Sequence, residues 1–199
     1  MLTNLPNILT MSRIVIIPIL IVLFYVGGDF WRWVSCALFT LAGVTDYFDG
    51  YLARRWAQIS PFGRFLDPIA DKLLVAAVIL MLVAKDWISG WMVLPALVIL
   101  CREVLVSGLR EFLAQVNVGV PVSSLAKWKT ALQLIALGVL IVGDAAGPWV
   151  TTAGEACLWV AAALTIVTGY DYLSAGLKHM TGPAPAQAAS QPPTQAKAP

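Results

Sequence analysis

An all-α integral membrane bundle of six transmembrane helices, led by a short N-terminal interfacial segment, is the fold class this sequence predicts, and three observations carry it. The 199 residues are 59% hydrophobic and only 12% charged, with a mean hydropathy of +0.81, so lipid rather than water is the solvent for most of the chain. Six mainly apolar segments follow one another, each near the roughly 20 residues that a spanning helix needs. The breaks between them are short and hold glycine, proline or charge, the residues that end helices or begin turns.

Taken in order, Leu2 to Ser12 contains Pro6 and mixed polarity, which suits a stretch lying along the interface. The first span, 8–26, resembles a signal peptide in its opening, but it runs into Tyr25-Val26-Gly27-Gly28-Asp29 without a small-x-small cleavage pattern and is expected to be retained. The second and third spans, 33–55 and 64–84, flank Ser60-Pro61, and the fourth, 91–113, follows Lys85-Asp86. Val120-Pro121 precedes the fifth span, 125–143, and Asp144 to Pro148 precede the sixth, 155–177. Residues 1–180 thus form one membrane domain. Beyond it, 181–199 is rich in Ala, Pro and Gln with hardly a large apolar side chain, the composition of a disordered tail.

Alternating spans gather Arg54, Arg55, Arg64, Arg102, Arg110, Lys127, Lys129 and Lys178 on one side and leave Arg32 and Lys85 on the other. The positive-inside rule then places both termini in the cytoplasm, and the expected location is the inner (plasma) membrane of a bacterium. Eight tryptophans, among them Trp31, Trp33, Trp56, Trp87, Trp91 and Trp149 near span ends, suit an aromatic belt. A formal net charge of +2 gives no argument for nucleic acid. Cys36, Cys101 and Cys157 stand far apart in apolar stretches, without the clustering that zinc or redox work requires, and are expected to be small core residues. His179 is expected to be a solvated residue at the end of the last span.

Against this apolar background, Asp46, Asp49, Asp67 and Asp71 stand out. A carboxylate at membrane depth costs about 2.5–3.5 kcal/mol, so four of them need partners or a purpose. Ion pairing with Arg54, Arg55, Arg64 and Lys72 is one answer. Helical spacing favours another: Asp46 and Asp49 share a face of one helix, and Asp67 and Asp71 share a face of the next. Four converging carboxylates repel one another unless one or two divalent cations neutralise them, and oxygen ligands without His or Cys favour Mg2+ or Mn2+. Gly43, Gly50, Ala53, Gly63 and Ala70 interleave with the acids and allow close helix approach or room for a substrate. Arg54, five residues after Asp49, suits pairing with phosphate.

The pattern Asp46-x2-Asp49-Gly50-x2-Ala53-Arg54-x8-Gly63-x3-Asp67-x3-Asp71 resembles, without a departure, the signature of the CDP-alcohol phosphotransferases. The resemblance implies a six-helix membrane enzyme, usually a homodimer, that moves a substituted phosphoryl group from a CDP-linked donor to an alcohol. It implies that Asp46, Asp49 and Asp67 hold one metal ion, that Asp67 and Asp71 hold a second, and that Asp71 is also the catalytic base. Gly50, Arg54 and Ser60 match positions around the cytidine nucleotide, and Thr10 lies in a segment bordering it. Ser60 and Thr10 also suit ordinary helix caps. The donor so implied is CDP-diacylglycerol, a membrane lipid.

The acceptor is read from the later spans. Arg102, Glu103, Arg110, Glu111, Lys127 and Lys129 form a second charged cluster, and Arg102, Arg110, Lys127 and Lys129 suit an acceptor that carries its own phosphate. These charges would equally serve as cytoplasmic anchors of helix ends. The stretch Arg102 to Phe112, with Lys127-Trp-Lys129-Thr130 and the opening Leu5-Pro6-Asn7-x2-Thr10-x2-Arg13, resembles the branch of the family that uses glycerol 3-phosphate. Inositol phosphate or serine is the alternative acceptor within the family, a cation transporter the alternative outside it, and an inactive structural relative a third.

Overall fold

A computed structural model describes residues 5–55, 61–115 and 124–181, through the backbone alone at 5–9, 46–55, 61, 62, 64, 124, 175 and 178–181. Among the described residues there are six α-helices and no strand: α1 (Leu5–Val26), α2 (Asp29–Arg55), α3 (Pro61–Ala84), α4 (Val93–Gln115), α5 (Ser124–Val142) and α6 (Pro148–Thr181). Single 3-10 turns precede α4 and link α5 to α6.

The observed elements follow the sequence segments with two principal differences. The N-terminal stretch expected along the interface is not separate from Leu5 onward, because its residues form the first turns of α1, which continues through Pro18. α6 begins seven residues earlier than expected, at Pro148, whose missing N–H costs nothing in a first turn. Its 34 residues measure about 51 Å at 1.5 Å per residue, well beyond a hydrocarbon core of about 30 Å. The expected tail lies outside the described residues except for Thr181, which closes α6.

By length and composition, Gly90–Gln115, Leu125–Ala145 and Pro148–Ser174 are able to cross a membrane, and Thr10–Val26 is a shorter apolar helix. Large apolar side chains such as Val22, Leu80, Val104 and Ile166 are exposed, as a lipid-facing surface requires. Trp33, Trp91 and Trp149 are exposed near helix ends, as expected of a belt, whereas Trp87 is tucked against Phe24 with ring centres 5.2 Å apart. Trp56 lies outside the described residues.

α1 packs against both α2 and α3, α2 continues the layer onto α5, and α6 packs against α5 and α4. The buried core runs from Leu20 and Phe24 through Phe39, Leu82, Leu137 and Leu158. Gly27 and Gly28 turn the chain between α1 and α2 with φ of 73° and 87°, a region open to glycine at no steric cost. At this end Arg32 joins three segments: its Nε donates to the Ile141 carbonyl at 2.9 Å, and its guanidinium lies 3.9 Å from the centre of the Trp87 ring. Lys85 stands over the Tyr25 ring at 4.6 Å, and Thr151 donates to Asp144 at 2.6 Å.

The cysteines divide. Cys36 is half-buried and donates to the Gly138 carbonyl at 3.4 Å, and Cys157 is half-buried as well. Cys101 is exposed, which corrects its reading as a core residue. A neutral thiol on a lipid-facing surface carries little penalty, so hydropathy cannot separate the two placements. The His179 side chain lies outside the described residues.

Candidate active site

The signature divides between α2 and α3. Asp46, Asp49, Gly50, Ala53 and Arg54 lie in the last three turns of α2, and Asp67 and Asp71 lie one turn apart in the first half of α3. The side chains of Asp46, Asp49, Gly50 and Arg54 lie outside the described residues, as does Ser60 altogether. Asp67 and Asp71 are both half-buried. Pro68 sits between them and removes one rung from the helix ladder, because its nitrogen cannot donate to the carbonyl four residues back.

α1 is the wall shared by both halves. Thr10 is 1% exposed, and its Oγ1 donates to Asp67 Oδ1 at 2.5 Å. A threonine in an apolar helix is therefore oriented across the bundle onto an acid. Arg13, one turn further along α1, is also 1% exposed. Thr10 and Arg13 belong to the segment that the family resemblance sets beside the nucleotide, and a lone arginine entering the first span at helical spacing from Thr10 is a costly placement that marks it.

The surroundings bear on whether the acids suit a metal. Lys72 donates to the carbonyl of Pro68 in its own helix at 2.9 Å, so its ammonium is engaged by backbone. Cys36, the half-buried thiol of α2, is held against Gly138 on α5. Asp67 and Asp71 offer carboxylate oxygens, the hard donor type that magnesium or manganese takes, and among the described residues no three His, Cys, Asp or Glu side chains come together, those of Asp46 and Asp49 lying outside them. Gly63 and Ala70 are buried, as close packing requires. Gly43 faces α5, where an added Cβ would meet Leu134 Cδ1 at 3.5 Å, so its smallness serves helix contact.

The second cluster lies beside the first. A cleft of about 260 Å3 runs between α3 and α4, lined by Pro68 and Lys72 on one edge and by Arg102, Glu103, Ser107, Arg110 and Glu111 on the other. Pro68 and Lys72 alternate with Asp67 and Asp71 along one turn of α3, so the cleft borders the helical turn that carries both acids.

Arg102 is anchored away from its own helix. Its Nη2 donates to Thr168 Oγ1 of α6 at 3.1 Å, and its Nη1 stands 3.6 Å from Glu103 Oε1. Gly169 makes this course possible, since a Cβ there would lie 3.1 Å from Arg102 Cγ. Arg110 is exposed along the cleft. Lys129 of α5 is buried, in direct ion-pair contact with Glu103, and it feels the charges of Arg102 and Asp71. Lys127 is exposed on α5 and does not line the cleft.

Three of the four basic residues singled out from sequence are thus brought together, and Lys127 is not. Glu103 and Thr168 are the contacts that sequence reasoning missed. In the sequence Glu103 is only one charge of the cluster, and an uncharged threonine in an apolar helix carries no spacing signal toward a residue 66 positions away.

Residues 3–167 match the CDP-alcohol phosphatidyltransferase family. A CDP-diacylglycerol–glycerol-3-phosphate 3-phosphatidyltransferase of Rickettsia typhi is 52% identical over 174 residues, covering 86% of this chain and 96% of the relative. The enzyme of the same name from Rickettsia felis is 51% identical over 178 residues, covering 88% and 97%. That from Salmonella choleraesuis is 44% identical over 174 residues, covering 86% and 94%.

Proposed function

Because the chain belongs to the CDP-alcohol phosphatidyltransferase family, and is accordingly a multi-pass membrane enzyme of phospholipid synthesis, we propose that it transfers the phosphatidyl group of CDP-diacylglycerol to glycerol 3-phosphate. The products are phosphatidylglycerophosphate and CMP. The names of relatives at 44–52% identity support this acceptor. The observation that carries it is the cleft whose α3 edge is Pro68 and Lys72, each next in the chain to Asp67 and Asp71, and whose α4 edge holds Arg102 and Arg110.

In this reading the acceptor phosphate sits against Arg102 and Arg110, which directs the free hydroxyl of the same small molecule toward α3. Asp71 takes the hydroxyl proton as the oxygen attacks the phosphatidyl phosphorus. One P–O bond forms to the acceptor as the P–O bond to CMP breaks, and CMP departs with the bonding pair. Thr10 holds Asp67 in one orientation through its hydrogen bond. Gly50, Arg54 and Ser60 border the nucleotide of the donor, with Thr10 near it.

Asp46, Asp49, Asp67 and Asp71 would hold two Mg2+ or Mn2+ ions, which when bound supply charge neutralisation for the diphosphate of the donor and for departing CMP. The cationic helix ends, including Arg110 and Lys127, face the cytoplasm with both termini, in the inner membrane of a bacterium, and the working unit is a homodimer.

The test supplies the purified protein with labelled CDP-diacylglycerol and, separately, glycerol 3-phosphate, inositol phosphate and serine. Phosphatidylglycerophosphate forming with glycerol 3-phosphate alone is the expected result. Product from serine or inositol phosphate, with none from glycerol 3-phosphate, overturns the acceptor. Failure to consume the CDP-linked lipid with any of the three overturns the reaction.

A further inference from the structure

A carboxylate at the centre of a basic cluster is out of place if that cluster binds phosphate, and Glu103 is such a carboxylate. It lines the cleft with its side chain 18% exposed, whereas the Lys129 side chain is 3% exposed and does not line it. Glu103 therefore stands between the cleft and a buried ammonium. On its other side, Arg102 Nη1 is 3.6 Å away, too far for a good hydrogen bond and close enough for attraction.

Electrostatics explains why the carboxylate is there. A buried ammonium with no anion beside it is strongly destabilised, so Lys129 needs a counter-ion whenever the cleft is empty. The same carboxylate repels an incoming phosphate. The cleft wall carries three cations, Lys72, Arg102 and Arg110, against two carboxylates, Glu103 and Glu111. Lys72 is spent on the Pro68 carbonyl, and Arg102 is fixed to α6 by Thr168. Swinging Glu103 aside leaves Lys129 open to the cleft, with Arg102 already in position.

We propose that Glu103 is a positioning residue and an internal counter-ion, holding the place of the acceptor phosphate between Lys129 and Arg102 until the acceptor displaces it. The inference rests on the reading that the acceptor carries a phosphate, and it adds how a neutral acceptor is refused. A dianion compensates Lys129 for the loss of Glu103. A neutral alcohol offers Lys129 no charge and leaves the pair closed.

The experiment measures competitive inhibition by inorganic phosphate, together with the KM for glycerol 3-phosphate, on full-length protein in mixed micelles at saturating CDP-diacylglycerol. In Glu103→Gln the inhibition constant for phosphate and the KM for glycerol 3-phosphate both fall about tenfold, the size of one charge-assisted contact, while the KM for the donor is unchanged. Glu103→Asp keeps the charge and returns both constants toward wild type. A Glu103→Gln protein with a raised acceptor KM, or with unchanged phosphate inhibition, overturns the inference.

Should Glu103→Gln not accumulate, the double variant Glu103→Gln, Lys129→Met removes the buried charge along with its partner. It is expected to weaken phosphate inhibition about tenfold, since an ammonium that reaches the phosphate is lost. An unchanged inhibition constant there shows a structural ion pair and overturns the proposal. Wild-type protein that gives no product from glycerol 3-phosphate instead overturns the acceptor reading on which the inference rests.

Discussion

The two ends of the bundle handle charge in opposite ways. At the end made by the α1–α2, α3–α4 and α5–α6 turns, Arg32 is consumed by the Ile141 carbonyl and the Trp87 ring, Lys85 lies over Tyr25, and Asp144 accepts from Thr151. At the other end, Pro68, Lys72, Arg102 and Arg110 line a cleft beside Asp67 and Asp71 in the chain, and the contacts of Asp67 and Arg102 reach across helices without filling it. The first end uses charge to join segments. The second keeps charge available to a ligand, which is why chemistry belongs there.

If that contrast holds, changes at the cleft end alter turnover with little effect on melting, and changes at the closed end do the reverse. Removing divalent cations with a chelator is expected to abolish CMP release, and adding Mg2+ or Mn2+ to restore it; full activity after exhaustive chelation would break the metal assignment. Asp71→Asn removes the base and is expected to lower kcat by about 10²–10⁴-fold, with donor binding partly kept, as read by CMP release and by binding of labelled donor. Arg110→Ala raises the KM for glycerol 3-phosphate by about 10–100-fold, the loss of a charged hydrogen-bonding partner, and leaves the KM for the donor within twofold. An equal effect on both substrates would return Arg110 to the role of a helix-end anchor.

Two smaller effects sharpen the contrast. Gly169→Ala places a methyl 3.1 Å from Arg102 Cγ, so Arg102 must shift by a few tenths of an ångström. The acceptor KM then rises about threefold, while the melting temperature holds, because alanine favours helix where glycine does not. Arg32→Ala, at the closed end, loses a charged hydrogen bond and a cation–π contact, about 2 kcal/mol in all. Thermal unfolding in detergent should shift down by about 5 °C, with kcat and both KM values unchanged. A kinetic defect in Arg32→Ala would show that the two ends are coupled.

How much of this could be read in advance differs by residue. The two acidic pairs were legible because i, i+3 and i, i+4 spacing places side chains on one helical face whatever the tertiary context. The helices were legible from hydropathy, with errors where the signal is local and weak, as at Pro148. Thr10 was named as bordering the nucleotide, but its hydrogen bond to Asp67 spans 57 positions, and no periodicity reports it. Lys127 and Lys129 fall in one charged cluster of the sequence, yet two residues along a helix turn through about 200°, and Lys129 is the one that meets Glu103.

By itself, then, the sequence determined a lipid-solvated helical bundle, its acidic signature on two successive helices and the charge bias of its ends, since each of these depends on composition or on distances within one helix. Only the tertiary structure decided that α1 is the wall between the two acidic helices, that Arg102 leans on α6 across Gly169, and that Glu103 screens Lys129 from the cleft. Those relations depend on which helical faces meet. A bilayer-solvated sequence leaves that open, because lipid tails and neighbouring helices offer an apolar face nearly the same environment.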